Sequence, residues 1–171
     1  MNLDSKNENI ILTYQDVLNT YKSQFHGAKA LSQYISWFPL KSSAKLAGIV
    51  VDLMGDGHLQ DPKFRLDYTS NSNKELERFN NEVFSLFGIS GKIRDCTTNK
   101  YNTKNLGINN KPLGRALKLI GVPSGAKVLT SFSIPDWILT DRLYFARFIN
   151  RLMSCEGCVD MQNKYIELKM Y

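Results

Sequence analysis

Two acidic residues stand where two long apolar helical stretches of the chain end. Asp56 closes the stretch "LAGIVVDLMGDGHL" at residues 46–59, where it lies between two glycines. Glu156 holds the same place in "FARFINRLMSCEGCVD", with a glycine directly after it. Packing one apolar helix against another does not require a carboxylate at the helix end. The two acids therefore indicate a chemical role, and they recur one helix-sheet-helix unit apart.

Cysteine and histidine offer weaker candidates for chemistry. Cys155 and Cys158 form a C-x-x-C pair, a spacing that zinc sites and redox motifs use, but no second pair and no well-spaced histidines accompany it. With Cys96 they are too few and too unevenly spaced for a disulfide framework, so we expect reduced thiols. His58 could touch DNA or a metal-bound water, although a lone surface histidine is the favoured interpretation.

Hydrophobic periodicity predicts the elements that position the two acids. Apolar residues at 46, 49, 50 and 53 follow helical spacing, with Ser42 or Ser43 available to cap the helix. A second long helix is expected from about residue 140, after a proline-led loop. The residues after Gly157 look like the start of another strand pair.

The segment between the two long helices predicts a sheet and two further helices. Alternation in "KFRLDYT" indicates a half-buried strand, and "GKIRDCTT" and "NTKNLGINN" indicate two more, joined by "NKYN". A short helix is expected in "KPLGRALKLIG". A longer helix is expected in "SNSNKELERFNNEVFSLFG", with one apolar face formed by Leu76, Phe79, Val83, Leu86 and Phe87.

Basic residues recur on the predicted strands. The formal charge is +6 and the isoelectric point is near 9.2, a balance that favours polyanionic partners. Alternation puts Lys63 and Arg65 on one face of their strand, and Lys92 and Arg94 on one face of theirs. A solvated sheet face is the alternative. The positions expected to contact DNA are Lys63, Arg65, Lys92, Arg94, Lys100 and Lys104.

The repeated motif resembles that of the LAGLIDADG homing endonucleases, in particular the archaeal and intein-associated branch with two repeats. The stretch "LGRALKLIGVPSGAKVLTSFSIPDWI" is similar to the family's link from its last helix, through a Gly-x-Lys loop, to the next motif. The resemblance covers roughly residues 44–171. Two motifs at this separation, with the linking segments in order, are far more specific than one motif alone.

The resemblance implies an α+β fold in which the two motif helices pack side by side above an antiparallel, saddle-like sheet that lies in the major groove of DNA. It also implies that Asp56 and Glu156 hold divalent metal, expected to be Mg²⁺, which takes oxygen ligands. Two such ions can stabilise both the attacking and the leaving oxygen of phosphodiester hydrolysis. Lys127, from "PSGAK", would support charge on the scissile phosphate or activate water.

This implied function is site-specific cutting of double-stranded DNA by a hydrolase associated with an intron or an intein. The sequence departs from the family where the motif helices usually pack at a small residue, because Val51 and Arg151 stand there. Asp52 is a further charge in an apolar helix. We expect Asp52 and Arg151 to meet as an ion pair, since an unpaired charge at that seam would be costly. The alternative function is a catalytically inactive nucleic-acid-binding protein, either maturase-like or regulatory.

The domain organisation is expected to be an N-terminal helical segment at residues 1–43 and an endonuclease-like domain at 44–171. Two short helices broken by Gly27 are predicted in the first segment, which would serve either as a helix-turn-helix reader or as a helical support. The first repeat is complete, whereas the second begins at about residue 140 and only 14 residues follow Gly157. A partner chain or a second copy of the chain is therefore expected to complete the second repeat.

The expected location is inside the cell, in the cytoplasm or an organelle, and not in the secretory route. The longest apolar stretch is far shorter than the roughly 20 residues that a membrane span needs. The N-terminal sequence "MNLDSKNENI" is polar and carries acids, unlike a signal peptide.

Overall fold

A computed structural model describes residues 9–96, 102–129, 131–160, 162 and 165–168 of the chain. The helices are α1 Tyr14–Asn19, α2 Gln24–Leu31, α3 Ala44–Met54, α4 Asn73–Phe87, α5 Lys111–Leu119, α6 Asp136–Leu139 and α7 Arg142–Glu156. The strands are β1 Ile10–Leu12, β2 Leu40–Lys41, β3 Gly57–Leu59, β4 Arg65–Ser70, β5 Lys92–Asp95, β6 Lys104–Asn109, β7 Gly157–Asp160 and β8 Tyr165–Leu168. Short 3₁₀ turns cover Ser32–Trp37 and Lys127–Leu129.

The central sheet has the strand order β3-β4-β6-β5 and is antiparallel throughout. Its inner face is largely apolar and buried, and the ring of Tyr68 on this face stacks on Phe79 of α4 with centroids 4.5 Å apart. The outer face carries the alternate residues of each strand, which are mostly polar. The α+β class with antiparallel sheets is therefore confirmed.

Helix α3 is buried from Leu46 to Met54, around its whole circumference. Ser43 caps it by accepting a hydrogen bond from the backbone N–H of Leu46 at 3.1 Å, which decides between the two serines that the sequence offered. A helix that is apolar all round needs partners on every side. Here α4, α7 and the strands β3 and β4 all pack against it.

Helix α4 forms where the sequence predicted it. Ser72 caps its first turn, and Leu76, Phe79, Val83 and Phe87 are buried along one face. The helix ends at Gly88, which adopts φ 66°, a left-handed conformation that costs glycine little.

The strand expected at residues 63–69 is displaced toward its C-terminal end. Phe64 has a positive φ of 54°, so regular extended structure begins only at Arg65 and Lys63 lies in the preceding turn. Strand β3, which comes directly after α3, was not expected from the sequence. Its residues pair with β4, with His58 opposite Asp67.

The predicted break at Gly27 is wrong, because Gly27 lies buried inside α2 and the chain turns earlier, between α1 and α2. A Cβ on Gly27 would lie 2.7 Å from a methyl carbon of Leu18, so glycine allows the two helices to pack closely. The segment is tied to the rest of the chain: Trp37 donates a hydrogen bond from Nε1 to the carbonyl of Phe87 at 2.9 Å. These contacts support the interpretation as a helical support, while the boundary after residue 43 stays a prediction.

The strand pair expected after Gly157 is present, with β7 and β8 antiparallel to each other. The expected long helix is also present as α7, preceded by the short α6 in the proline-led segment. Within the ranges that the structure describes, no helix combines the length and the apolar character needed to cross a membrane.

Candidate functional site

Helices α3 and α7 pack directly against each other, and their C-terminal ends lie side by side. A Cβ on Gly55 would lie 3.0 Å from Cβ of Cys155 and 3.3 Å from Oε1 of Glu156. The helices therefore approach each other closely at Gly55, immediately before Asp56. Two acids 100 positions apart in the sequence are thus brought to one place by the helix pair.

The charges of the two acids act on each other. Partial loss of hydration raises the pKa of Glu156, and the negative charge of Asp56 raises it further. The pKa of Asp56 is raised as well, because the surrounding protein removes part of its hydration although the residue as a whole is exposed. A hydrogen bond from Cys155 and the charge of Lys127 oppose that shift. Both carboxylates therefore stand in a setting that favours a neutralising cation.

Lys127 reaches the same place from the loop after α5. Its ammonium donates to the carbonyl oxygens of Met54 at 2.9 Å and Gly57 at 2.7 Å, and also to that of Gly55. An ammonium group has three N–H donors, so these three bonds account for all of them. Burial lowers the pKa of Lys127, while the charges of Glu156 and Asp56 oppose the shift. The lysine thus holds together the turn that presents Asp56.

The expected pairing of Asp52 with Arg151 is confirmed. Arg151 donates from Nε to Oδ1 of Asp52 at 2.9 Å, and its Nη2 lies 2.8 Å from the same oxygen. The Asp52 side chain is 0% exposed and that of Arg151 is 7% exposed. Burial raises the pKa of Asp52, and the neighbouring arginine charges oppose the shift. Two buried charges, one on each helix, therefore compensate each other across the seam.

The ion pair is part of a larger network that the sequence did not predict. Arg78 of α4 donates from Nη2 to Oδ2 of Asp52 at 2.8 Å, and the charge of Asp52 raises the pKa of Arg78 despite its burial. Glu75 accepts from both Arg78 and Arg151, at 3.0 and 2.7 Å. Glu82 accepts from Arg78 at 3.1 Å and also from Arg147. The signal was the spacing of 75, 78 and 82, which places them on one helical face.

The outer face of the central sheet brings together part of the predicted DNA-contacting set. Lys92 pairs with Gly107 and Arg94 with Asn105, so both side chains lie on the outer face, as alternation predicted. With Arg65 they line a cavity of about 210 Å³. We call this patch, formed by Arg65, Lys92 and Arg94, the basic sheet patch.

The other predicted contacts are placed differently. Lys63 is exposed in the turn before β4. Lys104 pairs with Asp95 and Ser70, in the register of the inner face, and so lies opposite the basic sheet patch. Lys100 lies outside the described residues.

Among the described residues, the cysteine and histidine candidates do not form a metal-binding group. Cys155 is half-buried, burial raises its pKa to about 12, and its Sγ lies 3.9 Å from Oδ1 of Asp52. The side chain of Cys158 lies outside what the structure describes. In the described part of the chain, no group of three or more His, Cys, Asp or Glu side chains could hold a metal ion. His58 stands half-exposed on the outer face of the sheet, opposite Asp67.

Comparisons with known proteins give limited similarity. No family model matches the chain. An alignment of 136 positions, which covers 72% of this chain, is 25% identical to part of the tRNA-splicing ligase RtcB of Methanopyrus kandleri, and the chain spans only 14% of that protein's length. A solved structure of a variant of the LAGLIDADG homing endonuclease I-DmoI, with its nicked target DNA and 2 mM Mn, gives a TM-score of 0.48. That distant similarity has 15% identity and covers 73% of this chain and 66% of that chain.

Proposed function

We propose that the chain is a metal-dependent endonuclease of the LAGLIDADG type that binds double-stranded DNA on the outer face of its sheet. The observation that carries the proposal is the meeting of the α3 and α7 ends, where Glu156 lies beside the residue that precedes Asp56. Among the described residues, neither acid has an ion-pair partner comparable to the arginines around Asp52. The proposed ligands for the metal are therefore these two carboxylates.

The donor set fits Mg²⁺ better than the metals that need a complete protein cage. Mg²⁺ keeps several waters and commonly binds through one or two carboxylates together with substrate phosphates. Among the residues that the structure describes, no group of three or more His, Cys, Asp or Glu could hold a metal, so a site built on two carboxylates matches that pattern. The raised pKa values of Asp56 and Glu156 agree with this proposal, because each carboxylate loses part of its hydration and a bound cation would restore part of the lost stabilisation of its charge.

A bound divalent cation would supply Lewis-acid stabilisation of the charge that develops on the phosphate oxygens. The chain's own residues contribute by holding the two carboxylates in position. Lys127 fixes the backbone from Met54 to Gly57, and so fixes the direction of the Asp56 side chain. Asp52 and Arg151 fix how α7 is rotated against α3, and so bring Glu156 to the same place. The basic sheet patch binds phosphates and bases of the duplex.

The test is cleavage of DNA that the purified protein itself selects. Duplexes retained from a random pool are incubated with Mg²⁺, with Mn²⁺ or with EDTA, and strand breaks are mapped. Asp56→Asn and Glu156→Gln should keep DNA affinity within about threefold and lose cleavage by about a hundredfold or more, since loss of one catalytic electrostatic contribution of about 3 kcal/mol has that size. Glu77→Gln, an exposed acid on α4, is the matched control and should cut like the wild type.

The alternative function has a distinct outcome. If the wild type binds duplexes but cuts none with either metal, it is an inactive nucleic-acid-binding protein, and the carboxylate pair has no catalytic role. If the wild type retains no DNA at all, the proposed function is wrong in both forms. A thermal shift with Mg²⁺ gives a separate readout of the metal site: the wild type should be stabilised and Asp56→Asn should not.

A further inference from the structure

Arg65 on the basic sheet patch is held in one orientation by a buried acid. Its Nε donates to Oδ1 of Asp67 at 2.9 Å, and its Nη2 lies 2.8 Å from the same oxygen. Asp67 is itself buried, and its Oδ2 accepts a hydrogen bond from Nε2 of Gln60 at 2.7 Å. Both carboxylate oxygens are thus engaged, so the acid cannot swing away from the arginine. The guanidinium is fixed at one edge before any ligand arrives.

A glycine on the neighbouring strand makes room for the guanidinium. Gly107 pairs with Asp67, and a Cβ at that position would lie 2.7 Å from Nη2 of Arg65. The arginine therefore lies flat over the backbone of β6. Its side chain keeps 30% exposure, against 12% for Asp67. The side chain is thus seated on the sheet surface and keeps part of its area open to solvent.

Beyond its contact with Asp67, the guanidinium keeps the donors that a base needs. A guanidinium has five N–H groups, and the contact with Asp67 uses the edge formed by Nε and one hydrogen of Nη2. The two hydrogens of Nη1 and the second hydrogen of Nη2 form the outer end. Two parallel donors at that end match the O6 and N7 acceptors that guanine presents in the major groove. Strands placed in a groove are a known way to read bases.

We propose that Arg65 reads a guanine in the bound duplex and that Asp67 and Gly107 hold it in the reading orientation. This inference rests on the proposed DNA-binding function and adds a specificity-determining residue to it. A phosphate contact would not need such seating, because a phosphate can be met from many directions and by a flexible side chain. Lys92 and Arg94 in the same patch, both exposed, suit that second role.

The experiment compares base preferences of variants on a randomised duplex pool, with sequencing of the retained fraction. The wild type should prefer guanine at one position by about 5- to 150-fold, which is the range of 1–3 kcal/mol for a bidentate pair. Arg65→Gln should remove that preference and leave the preferences at other positions intact. Arg94→Gln is the matched control: it should keep the guanine preference and reduce the slope of log affinity against log salt by about one.

Two further variants test the seating without removing the arginine. Gly107→Ala should displace the guanidinium and lower the guanine preference by about threefold or more, while circular dichroism and urea unfolding show an intact fold. Asp67→Asn keeps the shape of the side chain but weakens its hold on Arg65, and should act in the same direction. Equal loss of affinity for all sequences in Arg65→Gln would mean a phosphate contact and would overturn the inference. Failure of the wild type to retain any duplex would instead overturn the proposed function.

Discussion

The ion pair at the seam of α3 and α7 gives the sharpest test of how the two acidic ends are held together. In Arg151→Met the carboxylate of Asp52 stays fully buried and loses the partner on Oδ1. Breaking a buried pair by removing one member costs about 3–5 kcal/mol. Arg78 remains on Oδ2, so we expect the lower end of the range, about 3 kcal/mol in the free energy of unfolding.

The measurement is urea unfolding followed by fluorescence of Trp37 and Trp137, supported by thermal melting. For a chain of this size 1 kcal/mol corresponds to about 2–4 °C, so Arg151→Met should lower the melting temperature by about 6–12 °C. Arg147→Met is the matched control on the same helix. Its side chain is 32% exposed, and its partner Glu82 keeps a second ion pair with Arg78, so the expected cost is below about 1 kcal/mol.

A double-mutant cycle separates the free energy of the Asp52–Arg151 ion pair from that of side-chain packing. Asp52→Asn combined with Arg151→Met should cost less than the sum of the two single changes, by about 1–3 kcal/mol, because the buried charge and its partner leave together. If Arg151→Met costs no more than Arg147→Met, the seam is not held by this ion pair. If the two changes add without coupling, the contact in the structure contributes nothing to stability.

Three further outcomes are expected. Because the pKa of Asp56 is raised above its ordinary 3.8, the folded state binds the proton more tightly than the unfolded chain, and stability falls as pH rises through the folded pKa. Asp56→Asn should therefore be more stable than the wild type at about pH 7 and not at about pH 3, as thermal melting in the two buffers would show; equal melting curves in the neutral buffer would contradict this. Lys127→Met leaves three carbonyls at the end of α3 without their donor and should cost about 2–3 kcal/mol in urea unfolding, whereas a cost near zero would mean that the lysine does not hold the turn. Replacing Lys92 and Arg94 by Gln should reduce the slope of log affinity for DNA against log salt by about two, while Lys104→Gln, on the opposite sheet face, should change it little. The measurement is DNA titration over a series of salt concentrations. A larger effect of Lys104→Gln than of the double change would mean that the opposite face of the sheet binds DNA.

The sequence determined the features whose signals are local or repeated. Helical periodicity predicted α3, with a capping serine, and α4, with its apolar face, and strand alternation placed Lys92 and Arg94 on a common face. The repeated acid before glycine predicted that two helices end alike. The pairing of Asp52 with Arg151 also came from the sequence, because a charge inside an apolar helix requires compensation wherever it is buried.

Tertiary structure decided the contacts between residues that are far apart in the chain. Lys127 donates to carbonyls 70 or more positions away in the sequence. Arg78 pairs with Asp52 of α3 from α4, whose sequence pattern predicted only its own apolar face. Phe64 takes a left-handed φ that no local propensity favours, and this moved the start of β4 to Arg65. Local patterns specify which face of an element is apolar, but not which distant element will cover it. The direction of a long polar side chain depends on that covering element. A buried donor must form hydrogen bonds, and it forms them with the acceptors that the neighbouring element leaves unpaired.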